Sequence, residues 1–153
     1  MSETARILLI DDDEAVRKTI SRALNKAGYV VDTAENGKEA IEKAEVAFYN
    51  LALIDIRLPD MDGIKLLAAM KDGTPKMVKI ILTGYPALQN AIEAVNKGAD
   101  SYITKPVNID ELLRVIKKHL ERQSRDSEFG EQKINEFVET RLKQLDTEER
   151  EKE

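Results

Sequence analysis

The sequence predicts an α/β domain with a doubly wound sheet of five parallel strands, followed by a C-terminal helical extension. Three observations predict it. Short β-branched or aliphatic runs at residues 6–10, 29–34, 51–54, 79–83 and 101–104 alternate with longer amphipathic stretches, so the chain reads β-α five times. Parallel strands need crossover connections, and helices supply them on both faces of a sheet. The first, third and fourth runs are almost wholly apolar, as strands covered on both sides are.

Each helix has its own signals. In residues 14–27 the apolar Val16, Ile20, Ala23, Leu24 and Ala27 recur at spacings of three and four, which makes one helix face. Asp13 is placed to cap its start, and Gly28 follows at the position where a positive φ is needed. Asn36 or Gly37 opens the second helix, over 38–47, and Gly63 opens the third, over 64–71. Pro86 is a first-turn proline for a helix over 87–96, which Gly98 closes. Asn108 caps a fifth helix over 109–121, with Asp110 and Glu111 in its first turn, where the helix dipole favours negative charge.

Composition narrows the function. The 153 residues are 42% hydrophobic, enough for one core, and carry a net charge of −5. That sign argues against direct binding to nucleic acid or to an anionic membrane. No Cys means no disulfide and no thiolate chemistry, and a single His excludes a multi-histidine metal site. The longest apolar runs, about four residues such as 7–10, are far below the roughly 18 needed to span a bilayer. Met1–Ala5 has neither the basic nor the apolar region of a signal peptide, so a cytoplasmic location is expected.

Charge density rises near Glu121. Residues 121–153 hold 18 charged side chains in 33, against 35 in the first 120. Two parts are expected: a domain over 1–121 and a charged, helical tail over 122–153. The tail is too short to be an output domain. From Ile134 onward, Phe137, Val138, Leu142 and Leu145 suggest one amphipathic helix with a narrow stripe, and Phe129 lies just before it. It reads either as a solvated extension or as an element that docks on its own domain or pairs with another tail.

Doubly wound sheets bind ligands outside the C-terminal ends of their strands. The first strand ends in Asp11-Asp12-Asp13, the third in Asp55, the fourth in Thr83-Gly84 and the fifth in Thr104-Lys105-Pro106. Any one of these residues alone reads as a turn or cap. Together they bring carboxylates, a hydroxyl and an amine to one mouth. Clustered carboxylates repel, and a divalent cation relieves that repulsion. Hard oxygen donors without His or Cys suit Mg²⁺, which accepts one or two carboxylates, several waters and a phosphate oxygen.

The chain resembles a two-component response-regulator receiver domain. The resemblance lies in Ile7-Leu8-Leu9-Ile10-Asp11-Asp12, Asp55-Ile56-Arg57-Leu58-Pro59-Asp60-Met61-Asp62-Gly63, Ile80-Ile81-Leu82-Thr83-Gly84 and Gly98-Ala99-Asp100-Ser101-Tyr102-Ile103-Thr104-Lys105-Pro106, in family order and spacing across residues 4–121. It implies a flavodoxin-like strand order, 2-1-3-4-5. It implies that Asp55 accepts a phosphoryl group from the phospho-His of a sensor histidine kinase and that a conformational change then controls a downstream protein. Asp11 and Asp12 resemble the pair that organises Mg²⁺, with Asp12 the more direct ligand, Asp55 a further one, and the backbone carbonyl of Arg57 the third protein ligand. Lys105 resembles the family's lysine, Thr83 its switch hydroxyl and Tyr102 its switch aromatic. The Lys105–Pro106 peptide is expected to be cis. A phosphorylation-dependent homodimer is one assembly such a domain could form. The protein is then a self-phosphorylating switch and not a turnover enzyme. Arg57 and Gly84 stand at positions that vary in the family and influence how long the phosphate persists. The Arg57 side chain reads either as a shield over the phosphoryl group or as a solvated loop arginine.

Two rivals fit less well. A haloacid-dehalogenase-type phosphatase would use the Asp11-x-Asp13 spacing, but Asp55 would be unexplained. A flavodoxin-type carrier would not place three Asp where the FMN phosphate binds. His119 could be a phosphorelay residue. Its preferred reading is as a partly cationic group near the C-terminus of the fifth helix.

Overall fold

In the computed structural model, the backbone of residues 4–70, 76–84, 92–94 and 96–152 is described. It divides into two units, Met1–Leu120 and Glu121–Glu153. The first unit holds β1 (Arg6–Ile10), α1 (Glu14–Lys26), β2 (Val30–Ala34), α2 (Gly37–Val46), β3 (Leu51–Asp55), α3 (Gly63–Ala69), β4 (Val78–Thr83) and β5 (Ser101–Thr104). All neighbouring strands are parallel and their order is β2-β1-β3-β4-β5. The doubly wound sheet is as the alternating pattern predicts, and the strand order is as the family resemblance implies.

The sheet separates two apolar layers because successive strand residues face opposite sides. Leu8, Ile10, Ala52, Ile54 and Ile81 join Ile64, Leu66 and Leu67 of α3 and Ala40 of α2 on one side. Ile7, Leu9, Leu53, Ile80 and Leu82 join Ile20 and Leu24 of α1, with Leu112 and Ile116, on the other. β3 and β4 are buried along their whole length.

The caps explain the element boundaries. Asp13 accepts from the N–H groups of Ala15 (2.9 Å) and Val16 (3.3 Å). Asn36 is the N-cap of α2 and accepts from the Glu39 N–H at 2.8 Å. Gly28 has φ of 100°, and the Tyr29 N–H closes α1 on the Leu24 carbonyl at 3.1 Å. That bond takes the Tyr29 donor away from the sheet, so β2 begins at Val30. Asn108 accepts from the Glu111 N–H at 3.0 Å.

Of the helix expected over 87–96, residues 92–94 and 96 are helical; Pro86 and residues 87–91 lie outside the described residues. The third helix, expected to run to Lys71, ends at Ala69, because Met70 is already extended with ψ of 121°. The C-terminal helix spans Ile109–Lys152 and does not stop at Glu121 as expected. Beyond residue 109 there is one glycine, Gly130, and no proline, so nothing breaks it. His119 is therefore an interior helical residue, and the reading that placed it beside a helix C-terminus is corrected. In the second unit Phe137, Val138, Leu142 and Leu145 are exposed. Among the described residues, no helix is long and apolar enough to cross a membrane.

Candidate functional site at the C-terminal edge of the sheet

A parallel sheet delivers the last residue of every strand to one edge, and the expected groups meet there. Asp11 follows β1 and is fully buried, and Asp55 ends β3 at 7% exposure. Asp12 is exposed. Carboxylate oxygens of these three residues all lie within 4.8 Å of one another. Lys105, one residue beyond β5, places its Nζ 2.7 Å from Asp11 Oδ2 and 3.6 Å from Asp55 Oδ2. Asp11 Oδ1 accepts the Asp13 N–H at 2.9 Å, and Asp55 Oδ1 accepts the Arg57 N–H at 3.2 Å. The Lys105–Pro106 peptide is cis.

Thr83 is buried at the end of β4, and its carbonyl accepts the Lys105 N–H at 2.6 Å. Tyr102 on β5 is half-buried against the apolar layer that holds α2 and α3. The Arg57 side chain is exposed, while its backbone borders the Asp55 carboxylate.

Burial pushes the Asp55 carboxyl above its usual range; Asp11 and Asp12 push the same way, while the Arg57 N–H and Lys105 oppose them. For Lys105 burial alone would lower the ammonium, but its hydrogen bond to Asp11 and the charges of Asp11 and Asp55 outweigh that, and its pKa is raised. The site therefore makes ionisation of Asp55 costlier than usual while holding Lys105 as an ammonium. Three carboxylates, with no His or Cys in the group, match the donor set of a hard divalent cation.

The loop after Asp55 is braced on two sides. Asp60 accepts from the Gly37 and Lys38 N–H groups at the start of α2, at 2.8 and 2.9 Å. Those bonds hold the Asp60 carboxyl below its usual range. Asp62 caps α3 through the Ile64 N–H at 2.7 Å, and the Gly63 N–H returns to the Ile56 carbonyl at 2.8 Å. Gly63 sits so close that a Cβ there would strike the Asp55 carbonyl oxygen and the Ile56 Cα. Sequence reasoning gave no separate role to Asp60, nor any to Arg17, whose guanidinium meets the Asp11 carbonyl. Nothing in the spacing distinguishes Arg17 from Lys18 or Arg22 on the same helix.

A flavodoxin-like sheet with an acidic group and a lysine at its C-terminal edge defines a receiver-type switch domain. A family model described as the response regulator receiver domain matches residues 7–117, and the chain belongs to that family. It is 35% identical over 129 residues to the regulatory protein AtoC of Escherichia coli K12, covering 84% of this chain and 28% of AtoC. It is 37% identical over 112 residues to the DNA-binding transcriptional regulator NtrC of the same strain, covering 73% of this chain and 24% of NtrC. The chain thus spans about a quarter of the length of these curated relatives. Among solved structures, a CheY-like receiver domain protein from Methanospirillum hungatei JF-1 superposes with a TM-score of 0.78 at 44% identity, covering 81% of this chain and 99% of that one. A response regulator from Burkholderia pseudomallei, solved with a phosphorylated aspartic acid, a calcium ion and citrate, gives a TM-score of 0.70 at 32% identity, covering 80% and 73%.

Proposed function

We propose that residues 1–121 form a Mg²⁺-dependent phosphoryl switch in which Asp55 takes the phosphoryl group of a histidine kinase's phospho-His. The supporting observation is the meeting of Asp11, Asp12 and Asp55 within 4.8 Å, with the Lys105 ammonium against the same carboxylates. An Asp55 carboxylate oxygen attacks phosphorus in line with the donor imidazole. The new P–O bond forms as the P–N bond breaks, and the imidazole departs. Bound Mg²⁺, held by Asp12, Asp55 and the Arg57 carbonyl with Asp11 in support, supplies charge neutralisation at the phosphoryl oxygens. Lys105 neutralises charge from the other side. Thr83 then hydrogen-bonds the phosphoryl group, a bond that exists in one state only, and Tyr102 moves inward after it. The readout is a contact with a downstream protein; phosphorylation on aspartate has a precedent in the solved Burkholderia pseudomallei regulator. Acetyl phosphate with Mg²⁺ tests the reading: one phosphoryl mass should appear, labile to hydroxylamine.

Metal binding has its own sign. A carboxyl whose pKa is raised on folding contributes stability below its unfolded value and loses it as pH rises through the folded one. Asp55 is such a group, so its charge weakens the metal-free protein near neutral pH. Mg²⁺ favours the carboxylate and reverses this. At 100 times its Kd it should stabilise by about 2.7 kcal/mol at pH 7. The rise in Tm should shrink as pH falls toward the Asp55 pKa, because protons compete. Asp12→Ala should remove the Mg²⁺ response; an unchanged response would put the metal elsewhere.

The tail over 122–153 is assigned no part of the receiver core and is read as an interaction element. A chain ended after Glu121 should unfold cooperatively, within about 1 kcal/mol of the full chain, and label at the same rate. Failure to fold would assign part of the tail to the domain.

A further inference from the structure

We infer that Arg17 is a positioning residue that sets the Asp11–Asp12 peptide for metal binding. The inference rests on the reading of Asp11, Asp12 and Asp55 as the metal-binding group. Asp12 is exposed, so packing does not aim its carboxylate. Its direction depends on the peptide that precedes it. Asp11 is fixed at three points: its N–H donates to the Ala34 carbonyl at 3.1 Å, Oδ1 accepts the Asp13 N–H and Oδ2 accepts Lys105 Nζ. The Asp11 carbonyl, which opens the Asp11–Asp12 peptide, is the fourth, and Arg17 Nη1 donates to it at 2.7 Å.

Arg17 is itself well anchored. Its side chain is 12% exposed, and Nη2 meets Glu35 Oε1 at 3.3 Å. Glu35 stands beside the capped start of α2, where Glu39 Oε2 accepts the Glu35 N–H at 3.1 Å. The guanidinium thus bridges the acidic loop to the hydrogen-bonded start of α2, through a Glu35 side chain that is itself 68% exposed. Its fork reaches two acceptors from one plane, which a single ammonium does not reproduce. Partners of this kind, one step behind the ligands, orient them and influence affinity as strongly as many ligands do.

Charge alone would act in the opposite direction. Arg17 is a cation near the carboxylates, so its removal should strengthen the attraction for Mg²⁺. Positioning predicts weaker binding. The Kd for Mg²⁺ is measured by titration followed by Tm, after circular dichroism shows each variant folded without metal. Arg17→Gln should raise the Kd roughly tenfold, and Arg17→Lys, which keeps the charge, roughly threefold. At saturating Mg²⁺ both should label with acetyl phosphate at nearly the wild-type rate, because Asp55 and Lys105 are untouched. A Kd at or below wild type in Arg17→Gln overturns the proposal, and so does an unchanged Kd in Arg17→Lys, which decides alone if Arg17→Gln does not fold. Slow labelling that saturating Mg²⁺ leaves uncorrected also overturns it. If wild type shows no Mg²⁺ response, the metal-site reading itself fails; if wild type responds and the variants match it, only the role of Arg17 fails.

Discussion

Asp55→Asn should lose phosphorylation altogether and gain stability. The amide fills nearly the same volume, so the fold is kept. Its nitrogen carries no lone pair free to attack phosphorus, and its oxygen is a far weaker nucleophile than a carboxylate. Labelling by acetyl phosphate should fall to background, a loss of at least about 100-fold given the barrier that the nucleophile removes. The stability change follows from burial. Asp55 is 7% exposed and its pKa is raised by desolvation first and by Asp11 and Asp12 next. A neutral side chain avoids both effects, so the metal-free variant should melt higher at pH 7. At acidic pH, below the unfolded carboxyl value, the gain should vanish, because Asp55 is then protonated in both states. Mass spectrometry and thermal melts at the two pH values check both halves. A variant that labels as fast as wild type would move the phosphorylation site away from Asp55.

Gly63→Ala should damage the site from outside it. The new methyl would meet the Asp55 carbonyl oxygen and the Ile56 Cα, both backbone atoms that cannot rotate aside. Gly63 cannot retreat easily either. Its N–H is bonded to the Ile56 carbonyl, and the neighbouring Asp62 caps α3 and bridges to Arg57. The clash must therefore be relieved by moving the end of β3. Overpacking of this kind costs about 2–3 kcal/mol. The expected fall in Tm is on the order of 10 °C for a domain of this size. A displacement near 1 Å at a nucleophile can also slow its reaction by roughly 100-fold. Reduced labelling in a variant still folded at 20 °C would show both effects. Wild-type Tm and labelling together would mean that the loop yields without disturbing Asp55.

The positions of Asp11, Asp55, Thr83 and Lys105 were legible in the sequence because a parallel sheet leaves no choice. Each apolar run ends at the same edge, so a polar residue after each run arrives at one place. The identity of the contacts was not legible. Lys105 stands closer to Asp11 than to Asp55, a difference of less than 1 Å that depends on where β5 settles beside β4. Asp60 reaches α2 across 23 residues of sequence, and no periodicity records such a contact. Arg17 looks like any surface arginine until the β1–α1 loop is folded against it. The end of the fifth helix was misplaced for another reason. A rise in charge density marks a change of environment, but it carries no helix-stopping signal, and the backbone continued through it to Lys152.

The short Lys105–Asp11 contact has a consequence for reversibility. The ammonium is not idle before the reaction; it already has an anion at 2.7 Å and a second at 3.6 Å. A phosphoryl group on Asp55 offers it a replacement counter-ion, so one pairing is surrendered as another forms. The net drive toward the phosphorylated arrangement is then the difference between two attractions of similar size. Such an exchange would narrow the free-energy gap between the two states compared with a lysine that had no earlier partner. A lysine with no earlier partner would bind the phosphoryl group more tightly and hold the domain in one state. In the proposed switch Asp11 would compete with the phosphoryl group for that ammonium and so favour the resting arrangement.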